Sequence, residues 1–98
     1  MNINKINYQP EFRGKILLKT FRDVIDAKAI TKIDCNEGDR FTTLVLDFTK
    51  DGNSQYRKIT IGDRNSEHDS SKDNYMKFLQ IYSIALQAPD DATIAYYV

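Results

Sequence analysis

The sequence predicts a mainly β domain carrying one helix, and three observations carry that prediction. Residues 40–62 alternate apolar and polar side chains on either side of an Asp51-Gly52 pair, the pattern of two half-buried strands joined by a tight turn. Residues 72–87 place Tyr75, Phe78, Leu79, Tyr82 and Leu86 at helical spacing before Pro89. Two short apolar stretches, 29–35 and 92–98, have strand length and strand composition.

In chain order, residues 1–13 are polar, contain Pro10 and read as an N-terminal arm. Residues 15–25 admit two readings. Leu17, Leu18, Phe21, Val24 and Ile25 make a helical stripe, which residue pattern alone favours slightly. As a strand, the segment is apolar on both faces, as a long curved first strand of a small barrel would be. The helical reading leads to an α+β fold with an antiparallel sheet and two helices.

Ala29 to Cys35 suits a strand, and Asn36-Glu-Gly-Asp39 suits a turn with Gly38 available for a positive φ. In the hairpin that follows, Leu44, Leu46 and Phe48 share one face with Ile59 and Ile61. Phe41, Thr43, Val45 and Asp47 lie opposite them, with Tyr56, Lys58 and Thr60. Residues 62–71 are polar and read as a mobile loop. Ser70 is placed to cap the helix, with Asp73 three residues on in the capping-box position. The last strand runs into the chain end, which leads us to expect a missing C-terminal tail.

At 98 residues the chain is a single domain with one modest core. Hydrophobic content of 41% with 29% charged residues is that of an ordinary globular protein. No apolar run is long enough to span a bilayer, and residues 1–8 lack the apolar region of a signal peptide, so we expect a cytoplasmic location. Zero net charge argues against a protein built to coat polyanions. The charge is divided unevenly, however. Residues 1–64 carry twelve Lys/Arg and nine Asp/Glu, and residues 65–98 carry two and five, so a cationic surface is expected in the first two-thirds.

The single His68 sits in the polar loop with no convergent ligands, which predicts no metal site. The single Cys35 has no redox or zinc partner and reads as a buried structural thiol. No glycine-rich phosphate loop, calcium loop or catalytic constellation is present, so neither catalysis nor a cofactor is expected. The aromatics of residues 75–82 fit core packing.

Phe41 and Tyr56 are different, because parity puts them opposite the core side chains. They form either a base-stacking surface or a plain cross-strand pair. Lys32, Arg40, Lys50, Arg57, Lys58 and Arg64 gather around the same hairpin in sequence. Lys19 and Phe21 join that surface if residues 15–25 are a strand.

The order strand, strand–turn–strand, polar loop, helix ending in Ala-Pro, strand resembles the small phage-type single-stranded DNA-binding proteins. It looks most like those of lactococcal phages. The likeness covers about residues 12–88. It rests on Phe12-Arg-Gly-Lys-Ile-Leu-Leu, Leu44-Val-Leu-Asp-Phe, Tyr56-Arg-Lys-Ile-Thr-Ile and Lys77-Phe-Leu-Gln-Ile-Tyr.

The resemblance implies an OB-fold, a five-stranded antiparallel barrel that binds single-stranded DNA across its outer face. It further implies homo-oligomerisation and partners in phage DNA replication or recombination, in the host cytoplasm. It favours a strand over residues 15–25. The chain lacks the acidic tail that many such proteins carry, as a truncated chain would. It also lacks tryptophan, which shifts stacking to Phe and Tyr. The runner-up reading is a small phage module that inhibits or recruits a host protein through its exposed aromatics. An enzyme accessory subunit is a third reading, without a motif of its own.

Overall fold

The computed structural model describes residues 14–18 and 22–98. The arm over residues 1–13, and Lys19 and Phe21 of the expected surface, lie outside them. The chain forms β1 (Lys15–Leu18), β2 (Asp23–Asp26), a short 3-10 turn (Ala27–Ala29), β3 (Ile30–Glu37), β4 (Phe41–Lys50), β5 (Asn53–Asp63), α1 (Ser71–Leu86) and β6 (Thr93–Tyr96). It is mainly β with one α-helix among the described residues.

The β4–β5 hairpin follows the sequence closely. Its strands pair from Lys50↔Asn53 onward, so the turn is only Asp51 and Gly52, with φ of 52° and 81°. Two successive positive φ values match the right-handed twist of the strands, and Asp-Gly tolerates them. With β3 the hairpin makes an antiparallel sheet of order β3-β4-β5. Two irregularities bend it, and in both a side chain satisfies a backbone carbonyl at or beside the break in pairing. At Thr31, β3 steps out of register and the Thr31 hydroxyl donates to the Asp47 carbonyl (3.2 Å). At Ile61, β5 carries an extra residue and Asn74 Nδ2 of α1 donates to the Ile61 carbonyl (2.8 Å).

Of residues 15–25, those described form two short strands, in place of a helix or one long strand. β1 and β2 pair antiparallel from Lys15↔Asp26 to Leu18↔Asp23, and Arg22 sits at φ 52° where the chain re-enters β2. Cross-strand pairing satisfies the backbone, and Ile16, Leu18 and Ile25 all reach the core. β6 then lies parallel to β1, giving a second sheet of order β2-β1-β6. Because the first strand reverses instead of running on, it does not link the two sheets. The expected closed five-stranded barrel is absent among the described residues. In its place are two three-stranded sheets, one pairing of which is parallel.

A single core draws on both sheets and the helix. Ile16, Leu18, Ile25, Leu44, Leu46, Phe48, Ile59, Ile61, Phe78 and Tyr96 are all buried in it. α1 packs on β5, β6 and β1. Phe78 meets Tyr96 edge to face at 5.1 Å, and the Tyr96 hydroxyl donates to the Asn74 carbonyl (2.9 Å). Burial pushes the Tyr96 phenol up to about 12.

Ser70 does stand at the N-cap of α1, but its side chain makes no cap bond and no capping box forms. Asp69 serves instead, its Oδ1 accepting from the Ser71 amide (3.0 Å) and hydroxyl. Leu79 is not among the side chains packed on the core, unlike Tyr75, Tyr82 and Leu86.

Two glycines hold close approaches. A Cβ at Gly14 would meet the Ala85 carbonyl oxygen at 2.6 Å, and one at Gly62 would run into the Ser71 side chain. Gly38 takes no positive φ; its amide instead donates to the Phe41 carbonyl (2.9 Å), closing the β3–β4 turn.

Candidate nucleic-acid interface

The outer face of the β3-β4-β5 sheet is built by strand parity and read across by register. Three rows cross it: Lys32–Asp47–Tyr56, Asp34–Val45–Lys58 and Asn36–Thr43–Thr60. Phe41 extends the same face of β4 beyond the third row, opposite Asp63. The inner parity of β4, from Thr42 to Phe48, is buried throughout, so the two faces separate cleanly.

Tyr56 and Phe41 are the exposed aromatics of this face, at 59% and 45%. They are not a cross-strand pair. Tyr56 lies opposite Asp47, six residues along β4 from Phe41, which sets the rings on the order of 20 Å apart. The long strands, ten and eleven residues, put the two aromatics near opposite ends of the hairpin. Each ring has a cation beside it. The Arg40 guanidinium lies 4.9 Å from the Phe41 centroid, and the Lys58 ammonium 5.7 Å from that of Tyr56.

The cations expected to form one patch are mostly engaged. Lys32 pairs with Asp34 (3.3 Å) on the outer face itself. Arg40 pairs with Asp63 (3.2 Å). Its hydrogen bonds, with the Asn65 amide, hold the Asp63 carboxyl below the usual range. Arg64 reaches the Gly38 carbonyl and Glu37 (3.7 Å), closing the loop after β5 onto the β3–β4 turn. Lys50 and Lys58 carry no ion pair among the described residues.

Arg57 is not on the outer face. It shares parity with Ile59 and Ile61 and turns inward. Its Nε donates to Asp23 of β2 at 2.5 Å, and its guanidinium stands 5.3 Å from the Phe48 centroid. This pair joins the two sheets where no strand pairing does. Parity carried the signal, but Asp23, 34 residues away, did not announce itself as the partner.

Cys35, expected buried, is exposed near the far end of edge strand β3. It borders a cavity of about 300 Å³ with Thr42 of β4 and Ser71 and Tyr75 of α1. Partial burial and Glu37 nonetheless raise its thiol. His68 is exposed in the loop before α1. A residue the sequence reading passed over is Asp26, whose Oδ1 is buried with no hydrogen-bond partner. It fell in the segment whose secondary structure was ambiguous, which hid its position.

No helix among the described residues is long and apolar enough to cross a membrane. Comparison with known protein families, with curated proteins and with solved structures finds no match for this chain.

Proposed function

We propose that this chain binds single-stranded DNA, with little sequence preference, across the outer face of the β3-β4-β5 sheet. The protein would be an open-sheet form of the oligonucleotide-binding architecture, serving phage DNA replication or recombination, most simply as a homo-oligomer. The observation that carries the reading is the pair of exposed rings on one sheet face, each with a cation within 6 Å. At Tyr56 such a unit offers a base a flat surface and its phosphate a positive charge at once, while at Phe41 the cation is already paired with Asp63 and the ring alone is on offer. Stacking contributes roughly 1–3 kcal/mol per base and works with any base, because each has a π-face.

The ion pairs sharpen the mechanism. Lys32, Arg40 and Arg64 already hold carboxylates, and the central rows of the face carry two Lys and two Asp. Binding therefore rests on stacking by Tyr56 and Phe41, with Lys58 and Lys50 neutralising phosphate. Arg57 belongs to the fold. The test is fluorescence anisotropy of a labelled single-stranded oligonucleotide of about thirty nucleotides at low salt. A saturable rise supports the reading, and a flat trace sinks it.

The charge balance of the same face favours one alternative, a surface for another protein, since aromatics set in a neutral surround anchor interfaces. A nuclease-treated pulldown that retains one stoichiometric protein, alongside a flat oligonucleotide titration, would select that reading.

A further inference from the structure

Among the described residues, β2, β3, β5 and β6 stand at sheet edges, and all but β6 are guarded against pairing with another chain. β2 carries Asp23 and Asp26. β3 carries Lys32 and Asp34 beside its register step at Thr31, and β5 carries Arg57, Lys58 and its extra residue at Ile61. Charges and bulges of this kind keep natural edges apart. β6 has neither. Thr93, Ile94, Ala95 and Tyr96 are uncharged and pair with β1 without a break. Tyr97 and Val98, which follow, are 59% and 53% exposed.

The pairing with β1 fixes which main-chain groups of β6 are left over. The Lys15 amide donates to the Ala92 carbonyl (2.9 Å), and Lys15 stands beside Thr93 in the parallel register. Main-chain groups point to alternate sides along a strand. Those of Ala92, Ile94 and Tyr96 therefore face β1, and those of Thr93 and Ala95 face away, with Tyr97 next in that series. These three residues have no backbone hydrogen-bond partner among the described residues.

This edge is complementary to itself. A second copy, turned about a two-fold axis through Ala95, runs antiparallel and sets Ala95 opposite Ala95 and Thr93 opposite Tyr97. Each such pair exchanges both of its N–H···O bonds. The rotation keeps the core-facing Ile94 and Tyr96 on one side of the joined sheet. No charge meets its like along the strand, and its two ends differ. Asp90 and Asp91 precede β6, offset in part by Lys15, whose Nζ donates to the Asp90 carbonyl (2.7 Å). At the other end Lys77 of α1 lies 5.8 Å from the Tyr96 ring centroid and 5.5 Å from that of Tyr97. Lys77 has no ion pair among the described residues, although Asp73 is one turn before it. Antiparallel pairing brings each Lys77 toward the acids of the other copy, whereas parallel pairing sets like ends together.

We propose that β6 is a homodimer interface, through which two copies of this chain join their β2-β1-β6 sheets antiparallel, edge to edge. This names the surface behind the homo-oligomer suggested above, and it holds whether or not the chain binds DNA.

Sedimentation equilibrium without nucleic acid tests it, at about 0.1 mM, where a dimer of micromolar Kd is nearly fully formed. Wild type should show twice the mass of the chain. Ala95→Pro removes an amide that points away from β1, a position where an edge strand tolerates proline. Its thermal melt should stay close to wild type while its mass falls to that of one chain. Should that variant fail to fold, Tyr97→Asp changes an exposed side chain and sets a carboxylate toward Asp91 of the partner subunit, and it should also be monomeric. A monomeric wild type overturns the interface and leaves the edge to other partners. A dimer that survives either substitution in a folded chain overturns it too, as does an assembly larger than two, because two-fold pairing closes on itself.

Discussion

Replacing Arg57 with alanine separates a structural cation from a ligand-binding one. In the folded chain its guanidinium donates to Asp23 at 2.5 Å and lies 5.3 Å from the Phe48 ring, joining two sheets that share no hydrogen-bonded strands. Truncation leaves the Asp23 carboxylate, 13% exposed, without its partner. A hydrogen bond to a charged group stabilises by about 1.5–3 kcal/mol and a cation–π contact by about 0.5–2. The Arg57 side chain is itself 29% exposed, so water screens part of both. The lower ends are appropriate, giving roughly 2 kcal/mol in all.

For a domain of this length each kcal/mol moves the melting temperature by about 4–8 °C, so Arg57→Ala should lower Tm by roughly 8–16 °C. Thermal unfolding followed by circular dichroism measures this directly. A double-mutant cycle with Asp23→Ala should return a coupling on the order of 1 kcal/mol or more. An Arg57→Ala chain that melts like wild type but binds DNA poorly would refute the reasoning, since Arg57 would then be acting on the outside.

Three further outcomes follow from the geometry. Gly62→Ala should destabilise by roughly 1–3 kcal/mol in denaturant titration, because the new methyl collides with the Ser71 side chain at the entry to α1. The Tyr96 phenol, raised from 10 to about 12 by burial, stays protonated in the folded chain where the unfolded chain has lost its proton. Stability is therefore intact below pH 10 and falls as pH rises toward 12, by up to roughly 2–3 kcal/mol, and Tyr96→Phe should remove that component of the alkaline loss in pH-dependent melts. Finally, the salt dependence of DNA binding should be shallow. Lys50 and Lys58, without an ion pair among the described residues, predict a log–log slope of about −1.4, whereas engagement of all six hairpin-region cations would give about −4.

Legibility in the sequence varied with how local the deciding force was. The β4–β5 hairpin was readable because strict alternation and Asp51-Gly52 specify strand, face and turn within twenty residues. α1 was readable from its spacing and Pro89, though its cap passed from Ser70 to Asp69 because the latter carboxylate reaches the Ser71 amide. Residues 15–25 were not readable. Apolar side chains fall on both faces there, and pairing with the distant β6 decides what the local pattern leaves open.

On the candidate face, parity placed Phe41, Tyr56 and Lys58 correctly. Register, which depends on strand length, then put the two rings at opposite ends of the hairpin. Arg57 was grouped with neighbours in sequence, although its parity with Ile59 and Ile61 pointed inward. The ion pairs that engage Lys32, Arg40 and Arg64 come from turns and neighbouring strands that no single stretch displays together. Cys35 has core parity, opposite Leu44, yet is exposed toward the end of edge strand β3, where parity alone does not decide burial.

Tyr56→Ala tests the stacking face most directly, measured by anisotropy with a thirty-nucleotide single strand beside a thermal melt of the same preparation. Tyr56 is exposed and outside the core, so the melt should be unchanged while affinity falls by roughly tenfold, within the 1–3 kcal/mol that one stacked base supplies. Wild-type affinity in a folded Tyr56→Ala chain would contradict the claim that this face holds the strand.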